Sequence, residues 1–169
     1  MNEALYLAAL GAAISDARRT VKETATNAGP VVTHMLKNAG INVAAPWCAA
    51  AVQDWADSAA QACNVSNPLD DVKLEAYVQS YYDWAKQYNR LVTDPTKAKR
   101  GYLVLYNFGG ERWDHIGILK TPPTEAGAGA PFIVCEGNTN DDGGREGDRV
   151  ALKVRKIIPG RVCFVAWAG

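Results

Sequence analysis

The chain has 169 residues, a length that fits one domain able to bury a core without metals or disulfides. Hydrophobic residues make up 48% of it and charged residues 21%, and no apolar run reaches the roughly 20 residues that a membrane-spanning helix needs. The 18 basic and 18 acidic side chains cancel, which argues against nucleic-acid binding because that function requires a strong positive field.

The first half of the chain predicts helices. An amphipathic helix is expected over about residues 3–19, and because an acidic residue but no Lys or Arg precedes its apolar stretch, we do not expect an export signal there. A second helix is expected from Pro30 to a left-handed position that suits Gly40. A third is expected to begin near Trp47, which places Cys48 in its first turn.

A fourth helix is expected over about residues 70–91, where aromatic and apolar side chains recur every three or four residues. The residues of this stripe are Tyr77, Tyr81, Trp84, Tyr88 and Leu91. Such a stripe can line a ligand groove, but a buried helix face is by far its more frequent meaning.

From Gly101 onward the pattern changes to short β-type runs separated by turns rich in Gly, Pro and Asp. The runs are YLVLYNF, RWDHIGILK, PFIVCEGN, RVALKVRKI and RVCFVAWAG. Helices followed by strands predict an α+β domain, in which N-terminal helices pack on a roughly five-stranded antiparallel sheet. A meander is the simplest topology for these strands.

The four cysteines lie far apart, without C-x-x-C spacing or a histidine cluster, so we expect no zinc site, no disulfide framework and no cofactor. Cys63, Cys135 and Cys163 are interpreted as small core residues. Cys48 has two possible interpretations, and the first is the same structural role, as a small apolar residue that fills space at a helix start. At the start of a helix, however, free backbone N–H groups and aligned dipoles favour a thiolate. The three alanines at 49–51 would let this helix start pack closely against a sheet.

Two histidines are available as a base for such a thiol. His34 is expected to be a solvated residue of the second helix. His115 is expected on a strand face shared with Gly117, whose missing side chain would let another element approach the imidazole. On the next strand Glu136 and Asn138 share one face by alternation, and either can accept the Nδ1 proton of the histidine.

Two acidic features have alternative interpretations. Asp114 precedes the histidine, but alternation sends it to the other strand face, where a structural or surface role is favoured over catalysis. The loop NTNDDGGREGD could bind calcium through Asp141, Asp142 and Asp148. It lacks the ligand order of a known calcium loop, so a solvated hairpin connection is favoured.

The wording of four segments closely resembles, in order, the cysteine, histidine-dependent amidohydrolases/peptidases, or CHAP family. The segments are NAGPVVTHMLKNAGINVAAPWCAAAV, RGYLVLYNF, DHIGIL and CEGNTNDDGGREGDRVALKVRK. The resemblance runs from about residue 10 to the end of the chain. The family carries a Pro-Trp-Cys-Ala-like nucleophile motif, an Asp-His-hydrophobic-Gly strand and a Glu-x-Asn pair. The resemblance therefore implies that Cys48, His115, Glu136 and Asn138 are the catalytic residues.

What the resemblance implies is one CHAP-like domain over residues 1–169, with a papain-like fold and endolysin-like activity on peptidoglycan. The expected reaction is hydrolysis of cell-wall amide bonds, as an endopeptidase or as an N-acetylmuramoyl-L-alanine amidase. A papain-like amidase acting on another amide, and a module that binds wall peptide without cutting it, are the alternatives. We expect a monomer made in the cytoplasm that acts at the bacterial wall after release or secretion. An immunity protein or a delivery partner is a further candidate partner.

Overall fold

The computed structural model describes residues 2–140 and 147–169. Over these ranges the chain has four α-helices, two short 3₁₀ helices and six β-strands. The α-helices are α1 (Glu3–Arg18), α2 (Pro30–Asn38), α3 (Cys48–Cys63) and α4 (Val78–Gln87), and the 3₁₀ helices cover Pro68–Asp71 and Pro95–Lys97. The strands are β1 (Leu91–Val92), β2 (Leu103–Tyr106), β3 (His115–Thr121), β4 (Pro131–Thr139), β5 (Arg149–Lys156) and β6 (Val162–Val165).

The predicted α+β class is confirmed, but the predicted five-stranded meander is wrong. Within the described ranges the six strands form one antiparallel sheet in the order β1-β6-β2-β3-β4-β5. Strand β6 buries Phe164 and Val165, so it gains more from an interior place beside β2 than from the sheet edge. Strand β5 forms one edge of the sheet, where charged side chains such as Lys153 and Lys156 discourage pairing with further strands.

Helices α1, α2 and α3 lie where the sequence predicts them. Helix α1 begins after Asn2, whose Oδ1 accepts the Leu5 N–H at 3.2 Å. Helix α2 starts at Pro30, and Gly40 just beyond its end has a φ of +76°. Helix α3 buries the predicted face, made of Val52, Trp55, Ala56 and Ala59. No helix in the described part of the chain combines the length and apolar character needed to cross a bilayer.

The single helix predicted over residues 70–91 is wrong, because only Val78–Gln87 is α-helical. A 3₁₀ helix occupies Pro68–Asp71, and the chain between the two helices is irregular. The Tyr81 hydroxyl donates to the Glu75 carbonyl at 2.7 Å, which holds this irregular segment against α4. A tertiary hydrogen bond of this kind leaves no mark in hydrophobic periodicity.

The aromatic stripe of this region is only partly buried. Tyr81 and Trp84 are buried as predicted, whereas Tyr77 and Tyr88 are 38% and 47% exposed. Helix α4 begins after Tyr77, which is extended, and it ends before Asn89, which has a φ of +54°. The two exposed tyrosines therefore lie outside the helix, where the helical spacing no longer determines which way a side chain faces.

The central strands β2, β3 and β4 are mostly buried on both faces of the sheet. One face packs against the helices, and there the Cys135 thiol donates to the Ala13 carbonyl of α1 at 3.3 Å. The other face carries Phe132, whose ring lies 6.4 Å from that of Tyr106 and 5.5 Å from that of Phe164, measured between centroids. Polar side chains on this second face are therefore withdrawn from water unless they lie at its rim.

Candidate active site

Helix α3 places Cys48 at its first residue. Trp47 is fully buried before it, and the indole N–H donates to Oε1 of Glu23 at 2.8 Å, which anchors the start of the helix. No described side chain caps this helix start, so the backbone N–H groups of the first turn remain free to stabilise an anion. The predicted position of Cys48 at a helix N-terminus is confirmed.

Small residues allow α3 to lie unusually close to β4. The alanines at 49–51 are fully buried. A Cβ added at Gly137 would lie 2.8 Å from the Ala51 Cβ and 2.9 Å from Cζ3 of Trp47, which is closer than carbon atoms normally approach. The predicted close packing of this helix on the sheet is confirmed, and a glycine on the strand is what permits it.

His115 is the first residue of β3 and is fully buried. Its Nε2 lies 3.0 Å from Oε2 of Glu136 on β4. Gly117 pairs with Glu136 across the two strands, and a Cβ there would lie 2.8 Å from the Cγ of that carboxylic acid. The expectation that Gly117 leaves room for a neighbour of the imidazole is confirmed, and the neighbour is Glu136.

The carboxylate contacts the ring nitrogen opposite to the predicted one. The prediction assigned Nδ1 of His115 to the acidic partner, but Glu136 lies further along the strands, and its side chain reaches the distal Nε2. Nδ1 has no hydrogen-bond partner among the described residues. Cys48 lines the same cleft as Trp113 and Asp114, the two residues before His115, so the thiol lies near the strand start that carries this ring.

Three side chains hold the fully buried Glu136 carboxylate. Besides the histidine, Nε of Arg155 donates to Oε1 at 2.9 Å and Nη2 donates to Oε2 at 2.6 Å, while the Thr139 hydroxyl donates to Oε2 at 3.2 Å. The Arg155 Cζ lies 5.4 Å from the ring centroids of both Tyr106 and Phe108. The buried carboxylate is thus paired with two cations, which offsets the cost of its desolvation.

Asn138 does not take the position that strand alternation predicts. It is buried with a φ of +54°, and the pairing of β4 with β5 shifts between Glu136 and Thr139. This bulge brings Thr139, not Asn138, onto the carboxylate. Neither the Asn138 Nδ2 nor the His115 Nδ1 has a hydrogen-bond partner in the described part of the chain, so Asn138 neither donates to Glu136 nor accepts from this ring nitrogen.

The electrostatics of the site favour an ion pair. Burial alone would lower the pKa of His115, but the Glu136 carboxylate and the neighbouring Cys48 outweigh it and raise this pKa to about 9. Burial alone would raise the pKa of Glu136, but the imidazolium and the Arg155 guanidinium outweigh it and lower that pKa to about 2. At neutral pH the histidine is therefore protonated and the carboxylate is ionised.

Cys48 is 4% exposed, yet it borders an open cleft of about 200 Å³. One part of the cleft is lined by Ile41, Ala45, Pro46 and Cys48, another by residues 76–78 at the start of α4, and the rest by the loop at 112–114. The Tyr81 hydroxyl oxygen also lies 3.4 Å from the Ala49 carbonyl oxygen, so α4 packs against the first turn of α3. The thiol is therefore at a place that a small part of a ligand can enter.

The remaining histidine and cysteines lie apart from this arrangement. His34 is exposed on α2, as predicted, and its Nε2 lies 3.1 Å from the Asn38 amide. All four cysteines are free. Cys135 is buried as predicted, while Cys63 and Cys163 are half-buried. Burial raises the pKa of the Cys135 thiol and that of the Cys163 thiol to about 12.

The acidic alternatives are not assembled into a metal site in the described ranges. Asp114 accepts the Phe108 N–H at 3.2 Å, a structural role in the loop before β3, and it also borders the cleft. Asp141 and Asp142 lie outside the described residues, while Asp148 pairs with the neighbouring Arg149 at 2.7 Å. No group of three or more His, Cys, Asp or Glu side chains suited to a metal ion occurs in those ranges.

Arg155, Thr139 and Gly137 complete the site, and the first two carry no signal of their own in the sequence. Arg155 stands among the alternating basic residues of RVALKVRK, where a buried guanidinium and solvated lysines look alike. Thr139 reaches the carboxylate only because of a bulge. Of the three, only Gly137 had a readable cue, since a glycine inside a strand often marks the close approach of another backbone.

In comparisons with protein-family models, curated proteins and solved structures, nothing matches this chain. The geometry of the site and the wording of the motifs that contribute to it are therefore what point to a function.

Proposed function

We propose that this protein is a cysteine-dependent amide hydrolase of the CHAP type, with a papain-like fold, that cuts peptide amides of bacterial peptidoglycan. One observation carries the proposal: Cys48 lies at a helix N-terminus and on a cleft, close to the buried ion pair of His115 and Glu136. A nucleophile, a proton donor and an orienting carboxylate are the three groups that thiolate catalysis requires.

In the first step the Cys48 sulfur anion attacks the carbonyl carbon of the scissile amide. The oxyanion that forms is stabilised by N–H groups of the first turn of α3, and loss of one such donor costs about 2.7–4 kcal/mol in a serine protease. The Nδ1 proton of His115 then passes to the amide nitrogen as the carbon–nitrogen bond breaks. The products of this step are a free amine, a thioester on Cys48 and a neutral imidazole.

In the second step the neutral imidazole removes a proton from a water molecule, whose oxygen attacks the thioester carbonyl. Collapse of the tetrahedral intermediate releases a carboxylic acid and returns the thiolate and the imidazolium. Glu136 holds Nε2 throughout, so Nδ1 is the nitrogen that exchanges the proton. Arg155 keeps this carboxylate ionised and fixed in place, which makes it a positioning residue.

The choice of peptidoglycan depends on the resemblance of the motifs around Cys48, His115 and Glu136 to those of CHAP enzymes. The spatial grouping of these three residues supports that resemblance, because their segments are distant in sequence. Action at the bacterial wall, after release or secretion, follows from this substrate and belongs to the same proposal.

The test is to incubate the purified protein with insoluble peptidoglycan and to measure the soluble fragments released. We expect release by the unmodified protein and a loss of at least about 10,000-fold in Cys48→Ala, since nucleophile variants lose most of their catalysis. Cys135→Ala is the matched control, because it removes a thiol of similar burial that faces α1. That control should keep its activity.

Mass spectrometry of the products identifies the bond that is cut. A new N-terminal alanine indicates amidase action, and a cut between two amino acids indicates endopeptidase action. Full activity in folded Cys48→Ala rejects the assignment of the nucleophile. Binding to peptidoglycan without any release by the unmodified protein favours the non-catalytic module, and release from a different amide favours the alternative amidase.

A further inference from the structure

An exposed cation, contacted by an aromatic ring, lies beside the catalytic cleft. The Arg112 Cζ lies 5.4 Å from the Tyr77 ring centroid, and Nη1 donates to the Tyr77 hydroxyl at 3.1 Å. The next residue fastens the same loop to α4: the Trp113 N–H donates to Oε1 of Gln79 at 2.9 Å, and its ring stacks on Tyr82 at 5.0 Å. A side chain ordered before binding loses less entropy when a ligand arrives.

The charge of this guanidinium is not neutralised by a carboxylate in the described chain. Arg149 and Arg155 form ion pairs, whereas Arg112 forms none with any described residue. Its hydroxyl contact with Tyr77 uses one N–H, and its other N–H groups have no hydrogen-bond partner in these ranges. Asp114 borders the same cleft and accepts the Phe108 N–H, and it forms no ion pair with Arg112. Free N–H groups in a planar fork match the geometry of a carboxylate.

The surface next to this cation is mainly apolar and continues away from Cys48. A groove of about 660 Å³ lies between residues 38–41 and residues 73–77, and it shares Ile41, Ala76 and Tyr77 with the catalytic cleft. Leu74 is 57% exposed in this groove, and the side chains of opposite charge at its border, Lys73 and Glu75, give it no net charge. A small apolar peptide segment fits such a surface better than a glycan, which would need more hydrogen-bonding groups.

We propose that Arg112, held by Tyr77, is a carboxylate-recognition subsite of the cleft. The preferred substrate is then a peptide with small apolar side chains and a free carboxylate near the scissile amide. This inference depends on the proposed function for its account of the amide, but the recognition of the carboxylate can be measured separately. Arg112 would determine specificity, and peptides whose carboxylate is converted to a carboxamide would be poorer substrates.

The experiment compares glycan-free wall stem peptides with the same peptides after conversion of their carboxylates to carboxamides. We expect the unmodified protein to cleave the carboxylate form with a kcat/KM about 10-fold higher, because only that form offers the guanidinium a charged acceptor. In Arg112→Gln the two forms should be cleaved equally. The control is Arg100→Gln, which changes an exposed arginine just before the start of β2. The candidate site lies at the other end of that strand, so this variant should keep the full preference for the carboxylate form.

Equilibrium binding to Cys48→Ala, measured by isothermal titration calorimetry, separates this inference from the proposed hydrolysis. Tighter binding of the carboxylate form that disappears in Cys48→Ala/Arg112→Gln supports the subsite, even if no peptide is cut. Cleavage of both forms at equal rates by the unmodified protein overturns the subsite while the proposed function stands. Absence of binding of either form also overturns it, as does a preference that persists in Arg112→Gln.

Discussion

The start of α3 and the centre of β4 each bury a thiol, but the two surroundings differ. Cys135 faces α1 and donates to the Ala13 carbonyl, and burial raises its pKa to about 12. Cys48 is almost as buried, yet it lies at a helix N-terminus, borders a cleft and interacts with His115. Burial therefore does not distinguish a nucleophile from a core residue. The features that distinguish the two thiols are the positively charged His115 near Cys48 and the cleft that gives a ligand access to Cys48.

The positive charge of His115, which sets Cys48 apart from Cys135, depends on the Glu136 carboxylate. Among changes that leave the Cys48 thiol in place, removal of this carboxylate should therefore have the largest effect. We expect Glu136→Gln to lower kcat/KM by roughly 1,000- to 10,000-fold, as loss of the carboxylate does in a catalytic triad. The carboxylate raises the pKa of His115 to about 9, so without it the imidazolium loses its proton at lower pH. The alkaline limb of the pH–rate profile should move to lower pH accordingly.

The control for this variant is Glu111→Gln, an exposed carboxylate in the loop before β3. Because Glu136→Gln also leaves Arg155 without its ionic partner, near-ultraviolet circular dichroism should establish that the variant is folded before rates are compared. An unchanged alkaline limb in the folded variant would mean that Glu136 does not set the charge of the histidine.

A smaller effect is expected from Arg155, which does not contact the reacting atoms in the proposed mechanism. Arg155→Gln should lower kcat by roughly 10- to 100-fold with little change in KM, because a charged hydrogen bond to a buried group is worth about 1.5–3 kcal/mol. Arg155→Lys should recover part of this loss, since it restores the charge but not the two-pronged contact. If Arg155→Gln and Arg155→Lys have the same kcat, the charge of Arg155 does not matter and its contribution is packing alone.

The smallest effect is expected from Gly137→Ala, which tests how closely the start of α3 packs on β4. Gly137→Ala forces the start of α3 away from β4, because the added Cβ would overlap Ala51 and Trp47. We expect the free energy of unfolding to fall by about 1–3 kcal/mol, measured by urea denaturation, with a loss of activity of about 10-fold. Gly127→Ala is the control, since a Cβ there meets nothing within 4 Å. Unchanged stability in Gly137→Ala would contradict the close packing.

Local signals predict much of the fold, and non-local contacts account for the errors. Helices α1 to α3 could be predicted because their apolar stripes and end residues are local features. The place of β6 beside β2 depends on which strands are buried, and alternation along one strand does not reveal that. The start of α4 depends on a hydrogen bond from Tyr81 to Glu75, which hydrophobic periodicity does not encode.

The candidate site divides along the same line. Residue chemistry and motif wording were enough to select Cys48, His115 and Glu136, which the structure brings together. The contact through Nε2 and the exchange of Asn138 for Thr139 both depend on geometry beyond strand alternation. A single bulge in β4 changes which side chain faces the carboxylate, and the sequence has no marker for it.

The most direct test of the central claim is the rate at which iodoacetamide alkylates each cysteine, followed by mass spectrometry in the unmodified protein and in His115→Gln. At about pH 6 a free thiol is almost entirely protonated and reacts slowly. If Cys48 forms the proposed thiolate–imidazolium pair with His115, it is alkylated at this pH faster than Cys63, Cys135 and Cys163, and His115→Gln removes the difference. Alkylation of Cys48 no faster than that of half-buried Cys63, or an equal rate in His115→Gln, would contradict the account.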